Sequence, residues 1–572
     1  MADSRHAVLD TAFGSGAGFL TSLARHRAAA EGRHLHYLAI APSLPSVAAL
    51  SAWVPGLAAQ WPVDVPGLNR LHLPSERLTL DLLVGPVDAW LSEIAARVDE
   101  FIIPEPLKQI RALQRLATPA ATLRIRLPDE HALRSLRAAG FSLEGEIEAD
   151  GWQRALYTSR KPQPPRAPMP ERRAIVIGAG VAGSAACERL AARGWQVTLI
   201  ERHDNPAQEA SGNRAGIFMP LLSKDDNIPT RLTRAAYLYA QRAWQNLGGI
   251  APHAPGPGAA AAVDGPTIRG DQCGVLQLAR DAEHALLQKE VVDTWRYPEQ
   301  YVRWLDAGEA SAMLGAPTPY GAWHFPQGGW ATPATACRAM LQACGDKLHR
   351  IFHAEALRIE RMEASGWRVL AADGSLLASA PVVIIANGAG ATAIEQAREL
   401  PLYTMRGQVT HLQEGSFPNL PMVICREAYM TPSVEGIISV GATYDKSSDR
   451  QLWQSSQDEN LQRAEEILGS PHAAGAPLQG RVGFRTMAPD RLPLVGQLPD
   501  SSSEGRAERL RDLPRHQGLY TLLGYASRGL IWAPLAAEIL ACQLEDEPLP
   551  IEATLAAALD PGRFLLKHRR KL

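Results

Sequence analysis

Apolar and polar positions alternate along this chain in two recurring forms. Short, nearly continuous apolar runs lie at His36–Ile40, Leu78–Val84, Val98–Ile103, Thr122–Arg126, Ala174–Ile177, Gln196–Ile200 and Val382–Ile385. Runs of that length, rich in Val, Ile and Leu, predict buried strands. Helix-compatible segments lie between them, Ser184–Arg193 being the clearest. Strands alternating with helices predict an α/β protein built on doubly wound, mostly parallel sheets.

Composition bounds that picture. The chain has 572 residues, enough for two to four domains. Apolar content of 46% and charged content of 21% are those of an ordinary soluble globular protein. A net charge of −2 gives no global pull toward nucleic acid, so any polyanion must be met by a local patch. The six cysteines form no CxxC pair and no metal-ligand spacing, which predicts a reducing compartment and no metal site. No basic start leads into an apolar core, and no run of about eighteen apolar residues occurs. A cytoplasmic enzyme without a membrane span is the expectation. Lys161–Pro170 holds five prolines in ten residues, a stiff spacer that divides a domain at 1–160 from one at 171–572. Ala251–Pro266, rich in Ala, Gly and Pro, reads as a surface loop.

The most informative stretch is Ala174–Glu201, AIVIGAGVAGSAACERLAARGWQVTLIE: strand, glycine turn, helix, strand, acid. Gly178 permits the tight turn, Gly180 lets the backbone approach a pyrophosphate, and Gly183 lets helix and strand pack closely. The helix start presents free N–H groups to phosphate, and Glu201 is placed to accept hydrogen bonds from a ribose. The acid favours FAD or NAD over NADP.

Near the start, Ala7–Leu20 (AVLDTAFGSGAGFL) resembles the first motif of Rossmann-like methyltransferases, with Asp10, Gly14 and Gly16 at a possible S-adenosylmethionine site. Its chemistry reads as vestigial. The strand His36–Ile40 runs into Ala41-Pro42 where an acid should hold the ribose, and Val98–Ile103 runs into Pro104-Glu105-Pro106. An apolar strand end leaves a buried diol without partners. A retained, inactive module is expected, and S-adenosylmethionine is a cofactor only if that module works.

Four islands follow the dinucleotide fingerprint. Glu209–Leu222 places Asn213 and Arg214 in a loop suited to a pyrophosphate or flavin, although Ser211 as a plain helix cap explains it equally. Phe325–Pro333 is a glycine turn with a helix start at Thr332-Pro333. Val382–Gly390 is a buried strand ending at Asn387-Gly388, followed by Met405–Val409. The last island is a pair, Gly483–Gly496 and Gly524–Ile539, in which Ser527-Arg528-Gly529-Leu530 opens a second helix. A helix N-terminus aimed at the N1/C2 edge of a reduced flavin stabilises its negative charge, which favours FAD over NAD. A plain packing helix is the alternative.

These motifs carry a resemblance. Ala174–Leu549 resembles the D-amino-acid oxidase/glycine oxidase family of FAD enzymes. More closely, ASGNRAGIFMPLLSKDD, PQGGW, GQVTHL, GFRTMAPDRLPLVG and GYASRGL resemble the bifunctional tRNA 5-methylaminomethyl-2-thiouridine biosynthesis family, from about Val8 to the C-terminus. The resemblance implies an FAD-binding Rossmann-type domain (about 171–270, 325–400 and 481–560) with an inserted antiparallel-sheet substrate domain (about 271–324 and 401–480). It implies oxidative removal of the carboxymethyl group from 5-carboxymethylaminomethyl-(2-thio)uridine at the tRNA wobble position. In the family, methylation of the exposed amine by the N-terminal half follows. The family has an acid where Ala41 stands and an Asp-Gly-Phe-Ala-Pro type loop where Ile103-Pro104-Glu105-Pro106 stands, so that second step is in doubt here.

The resemblance assigns Arg485 to the substrate carboxylate, a structural ion pair being the alternative, and names no general base. FAD is expected at Gly178, Gly180, Gly183, Glu201, Asn213, Arg214, Ser527, Arg528, Gly529 and Leu530. Arg406-Gly407-Gln408 is placed along the flavin face, with an edge-strand turn as the equal alternative. The basic tail Lys567–Lys571 is a candidate tRNA contact, or simply a solvated terminus. A small-molecule glycine or sarcosine oxidase with an inactive N-terminal domain is the competing function, and a non-catalytic tRNA-binding scaffold a third.

Overall fold

The computed structural model describes residues 5–29, 32–159, 171–251, 267–362, 366–472 and 478–570. The expected linker, most of the Ala251–Pro266 loop and Lys571 lie outside these. The chain forms two compact units: Met1–Met169 with Cys542–Ala557, and Pro170–Ala541 with Ala558–Leu572.

In the first unit an eight-stranded sheet runs, edge to edge, Gly67–Leu73, Leu78–Val84, His34–Ala41, Arg5–Asp10, Val98–Ile103, Ala117–Arg126, Trp152–Tyr157 and Phe141–Glu144. Arg5–Asp10 pairs in parallel with both His34–Ala41 and Val98–Ile103, so the winding reverses on either side of it. The central strands are buried on both faces, so that even Thr79 and Asp81 of Leu78–Val84 are as enclosed as the leucines between them. The doubly wound sheet read from the sequence is therefore present, with antiparallel strands added at both edges.

The domain boundary needs one correction. Residues 542–557 were expected with the FAD-binding half, yet they belong to this first unit. Arg70, fully buried, donates to both oxygens of Asp81 at 2.8 and 2.7 Å and to the Pro548 carbonyl at 2.7 Å. Arg5 pairs with Glu545, and Thr554 donates twice to Glu93. These are long-range polar contacts without a local sequence signature.

The second unit is built on a six-stranded sheet ordered Leu348–Ile351, Gln196–Ile200, Arg173–Ile177, Val382–Ile385, Arg515–Leu523 and Leu494–Pro499. All neighbours pair in parallel except the last two strands. A second sheet of eight strands runs from Arg303–Leu305 through Tyr403–Gln413 to Gln479–Met487. It is mixed rather than purely antiparallel, because Val275–Leu278 and Val423–Cys425 pair in parallel. Gln479–Met487 pairs along its whole length with Tyr403–Gln413. Residues 481–487 thus belong to the substrate-side sheet, not to the FAD-binding part as expected. No helix among the described residues is long and apolar enough to cross a membrane.

Candidate functional site

The dinucleotide fingerprint folds as a strand Arg173–Ile177, a turn, and a helix Val181–Ala191 capped by Gly180. Gly178 has φ +103°, and a Cβ there would lie 2.8 Å from the Ala386 carbonyl oxygen. At Gly183 a Cβ would come within 1.8 Å of the Gly178 carbonyl oxygen. Both positions demand glycine, one for its dihedral and one for the close approach of helix to strand. Glu201 ends the next strand, and its carboxylate accepts from the Ala179 N–H at 2.7 Å and the His203 N–H at 3.0 Å. The glycine turn and the acid are thereby held as one piece.

A second helix, Gly529–Glu545, begins beside the first. A Cβ on Gly529 would stand 3.1 Å from a Val181 methyl, so two helix N-termini converge on one place. The turn before it uses Gly524 at φ +76° and Ala526 at φ +51°. Between these two helix starts and the second sheet lies a cleft of about 790 Å³.

The structure brings most of the sequence-predicted residues to this cleft. Gly178, Gly180, Glu201, Asn213, Arg485, Ser527, Arg528, Gly529 and Leu530 line it, and Gly183 packs directly beneath. Asn387 and Gly388, from the strand end singled out in the sequence, line it as well. Arg528 donates to the Met219 carbonyl at 3.3 Å, and burial lowers its pKa. Ser211 accepts from the Val181 N–H at 3.2 Å, so it caps the fingerprint helix while its loop also lines the cleft.

Two residues fall elsewhere. Gln408 is fully buried and does not line the cleft. It bonds with Arg406, the Trp453 carbonyl and the Trp453 N–H. Arg406 is buried with it, its guanidinium 3.8 Å over the Trp453 ring. Side chains alternate along a strand, so Gly407 and Val409 face the cleft while Arg406 and Gln408 face away. Arg214 is half exposed, and its guanidinium lies 3.9 Å from Glu435 rather than in the cleft.

Arg485 faces inward from Gln479–Met487. It donates to the Thr443 carbonyl at 3.0 Å, and its guanidinium lies 4.1 Å over the Tyr444 ring. A Cβ on the facing Gly407 would come within 1.9 Å of the guanidinium, so that glycine makes its berth. Among the described residues no carboxylate pairs with Arg485, which removes the structural ion pair as its explanation. Beside it, Tyr429 is pushed up to about 12 by burial, against the lowering charge of Arg485.

One cleft-side residue escaped the sequence reading. Arg481 lies two pleats before Arg485 on the same face. It donates to the Gln208 carbonyl at 2.8 Å, the Glu209 carbonyl at 2.6 Å and Asn213 Oδ1 at 3.3 Å. It holds the loop carrying Ser211 and Asn213 against the substrate-side sheet. Burial opposes the charge of Glu209, but hydrogen bonds from His203 and Arg450, with the charges of Arg202 and Arg450, bring its pKa below the usual value. The expected basic tail is partly structural: Arg569 and Arg570 donate to the carbonyls of Gly505 and Glu508.

Residues 173–543 match the family model of FAD-dependent oxidoreductases. Among curated proteins, the chain is 39% identical over 607 aligned residues to the tRNA 5-methylaminomethyl-2-thiouridine biosynthesis bifunctional protein MnmC of Burkholderia thailandensis, covering 99% of this chain and 90% of that one. It is 40% identical over 600 residues to the protein of the same name from Azoarcus sp., covering 99% and 91%. Among solved structures, the glycine oxidase from Geobacillus kaustophilus superposes with a TM-score of 0.54 at 21% identity, over 68% of this chain and 99% of that one. The iminodiacetate oxidase of Chelativorans sp. BNC1 superposes with a TM-score of 0.52 at 23% identity, over 66% and 96%. At such identities the two structures establish the fold alone.

Proposed function

The chain belongs to the family of bifunctional tRNA 5-methylaminomethyl-2-thiouridine biosynthesis proteins and, within it, carries the FAD-dependent oxidoreductase domain; on that premise we propose that it trims a modified wobble uridine of tRNA. The substrate arm is an N-substituted glycine, uridine-CH2-NH-CH2-COO⁻, and the product is the 5-aminomethyl-(2-thio)uridine. A tRNA substrate also argues for a cytoplasmic location.

The observation that carries this reading is the Arg485 guanidinium, facing the cleft with no carboxylate partner among the described residues. A guanidinium binds a carboxylate through two parallel, charge-assisted hydrogen bonds, which fixes both position and orientation. The Thr443 carbonyl and the Tyr444 ring hold the guanidinium in place before substrate arrives.

The residues fit FAD. Gly178 and Gly180 leave the backbone bare at the start of Val181–Ala191, whose positive end would hold a pyrophosphate, the Val181 N–H being kept by Ser211. Glu201 would serve the ribose, and Asn213, steadied by Arg481, would serve the diphosphate. Ser527 to Leu530 would give the flavin the second helix start, whose partial positive charge stabilises added electron density. Bound FAD supplies the two-electron acceptor for the hydride that leaves the carbon between amine and carboxylate.

The protein's own task is then placement. Arg485 grips the carboxylate, so that carbon is presented at one fixed depth in the cleft. Hydride leaves from the neutral amine, whose lone pair drives it to the acceptor; the ammonium proton is first lost to solvent, and no side chain is assigned as a base. Loss of hydride leaves an iminium; water adds to it, and the C–N bond breaks to give glyoxylate and the primary amine on the tRNA. The test is nucleoside mass spectrometry of tRNA incubated with the purified flavoprotein. Loss of carboxymethylaminomethyl-uridine with matching gain of aminomethyl-uridine is expected. Turnover of glycine or sarcosine, with that tRNA left untouched, would overturn the reading.

A further inference from the structure

The family name implies a second cofactor, S-adenosylmethionine, in the first unit. In an open parallel sheet such a ligand lies across the carboxyl ends of the strands where the winding reverses. Here that is the end of Arg5–Asp10, flanked by the ends of His34–Ala41 and Val98–Ile103. A nucleoside needs polar partners for its ribose diol and its adenine amine, and a sulfonium amino acid needs room over the glycine turn. Neither requirement is met.

The strand ends come first. His34–Ala41 finishes on Ala41, 2% exposed and part of the hydrophobic core, with Pro42 next. Leu78–Val84 finishes on buried Val84, followed by Gly85-Pro86. Val98–Ile103 finishes on fully buried Ile103, followed by Pro104. The carboxylate at the centre, Asp10, is itself buried, 2% exposed, with one oxygen accepting from the Ala12 N–H at 3.1 Å and the other from the buried Tyr37 hydroxyl at 2.7 Å. Asp88 lies beyond Pro86 in the first turn of Val87–Glu93, with one buried carboxylate oxygen that has no hydrogen-bond partner among the described residues; it is a single acceptor where a ribose diol and an adenine amine together need several.

The space over the turn is also taken. Gly14 and Gly16 keep the left-handed conformations of a ligand-binding loop, at φ +55° and +83°. Yet a Cβ on Gly16 would lie 2.6 Å from a Leu50 methyl and 3.3 Å from the Phe13 ring. Leu50, Val54 and Leu57, all fully buried, join Phe13 and Ala41 in one core cluster. The segment after His34–Ala41 has folded the Leu50 side chain over Gly16.

We propose that the first unit of this protein has exchanged its S-adenosylmethionine site for hydrophobic core, so that the chain stops at the primary amine and a separate S-adenosylmethionine-dependent enzyme must complete the modification. That later reaction transfers the sulfonium methyl to the amine nitrogen, forming N–C and breaking S–C, with S-adenosylhomocysteine and the amine proton leaving. The part concerning the released amine rests on the oxidative reading above; the lost site does not.

The experiment uses the full-length flavoprotein. Calorimetric titration with S-adenosylmethionine and with S-adenosylhomocysteine is expected to give no saturable heat at millimolar ligand; saturable binding of either overturns the proposal. In parallel, tRNA that already carries aminomethyl-uridine is incubated with methyl-labelled S-adenosylmethionine. No label in the nucleoside is expected, and labelled methylaminomethyl-uridine overturns it. Because this substrate enters after the oxidation, the result stands whether or not the oxidative step is observed.

Discussion

Arg485 concentrates the oxidative reading into one side chain. Lysine keeps the charge but loses the planar fork, so Arg485→Lys should lower kcat/KM by about 10²-fold, about 2–3 kcal/mol of transition-state binding. FAD content should be unchanged, and absorbance at the flavin bands of the purified variant checks it. Unaltered kinetics would remove Arg485 from the site. A second residue-scale prediction concerns Asp10. Burial raises its pKa from 3.8 to about 6, against hydrogen bonds from Tyr37 and Ala12 that lower it. Unfolded, the group titrates at about 3.9. Between these values the folded chain binds more protons than the unfolded one, so stability falls as pH rises through the window. The loss is complete above about pH 6 and amounts to about 3 kcal/mol. Asp10→Asn should flatten that slope in thermal unfolding of the first unit; an identical slope would show that Asp10 does not drive it. The sequence made Arg485 legible because it stands in a recognisable island. It did not reveal that Gln408 faces away or that Arg481 ties the loop carrying Ser211 and Asn213 to its strand. Both depend on which face of a strand meets the cleft, and that is set by pairing with a segment about seventy residues distant.

At the scale of elements, the strand–turn–helix Arg173–Ala191 was readable in kind, since its glycines answer to local dihedrals and close packing, although the helix expected at Ser184–Arg193 begins three residues earlier, at Val181, and ends at Ala191. Gly183→Ala tests that packing. The added methyl meets a backbone oxygen that has nowhere to go, so the helix must shift off the strand. Overpacking of about 1–3 kcal/mol should weaken FAD binding by about tenfold or more, measured by flavin release on dilution. Retained affinity would mean that the helix start does not position the diphosphate. The strand Gln479–Met487 was read on the wrong side of the domain boundary. Sequence order places it beside the FAD-binding segments that follow, while its strand ladder is formed with Tyr403–Gln413. Pairing between distant strands leaves no periodic trace in either one.

For the whole molecule, the two compact units divide along the chain between Met169 and Pro170, within the proline-rich segment. The return of residues 542–557 to the first unit was not visible in the sequence. Arg70 measures how much that return matters. Its removal leaves Asp81 buried without its partner and frees the Pro548 carbonyl, so Arg70→Ala should destabilise the first unit by about 3–5 kcal/mol. Chemical denaturation should show the early loss of one transition while flavin fluorescence stays native. Loss of both transitions together would contradict it.

The same connectivity governs what happens if the polypeptide is severed. With an engineered protease site between Ser159 and Glu171, cleavage yields a short and a long fragment, yet residues 542–557 remain covalently part of the long one. The fragments should therefore co-elute on a sizing column and part only in denaturant. A gene split at that point would need its two products made side by side, each finishing the other's folding.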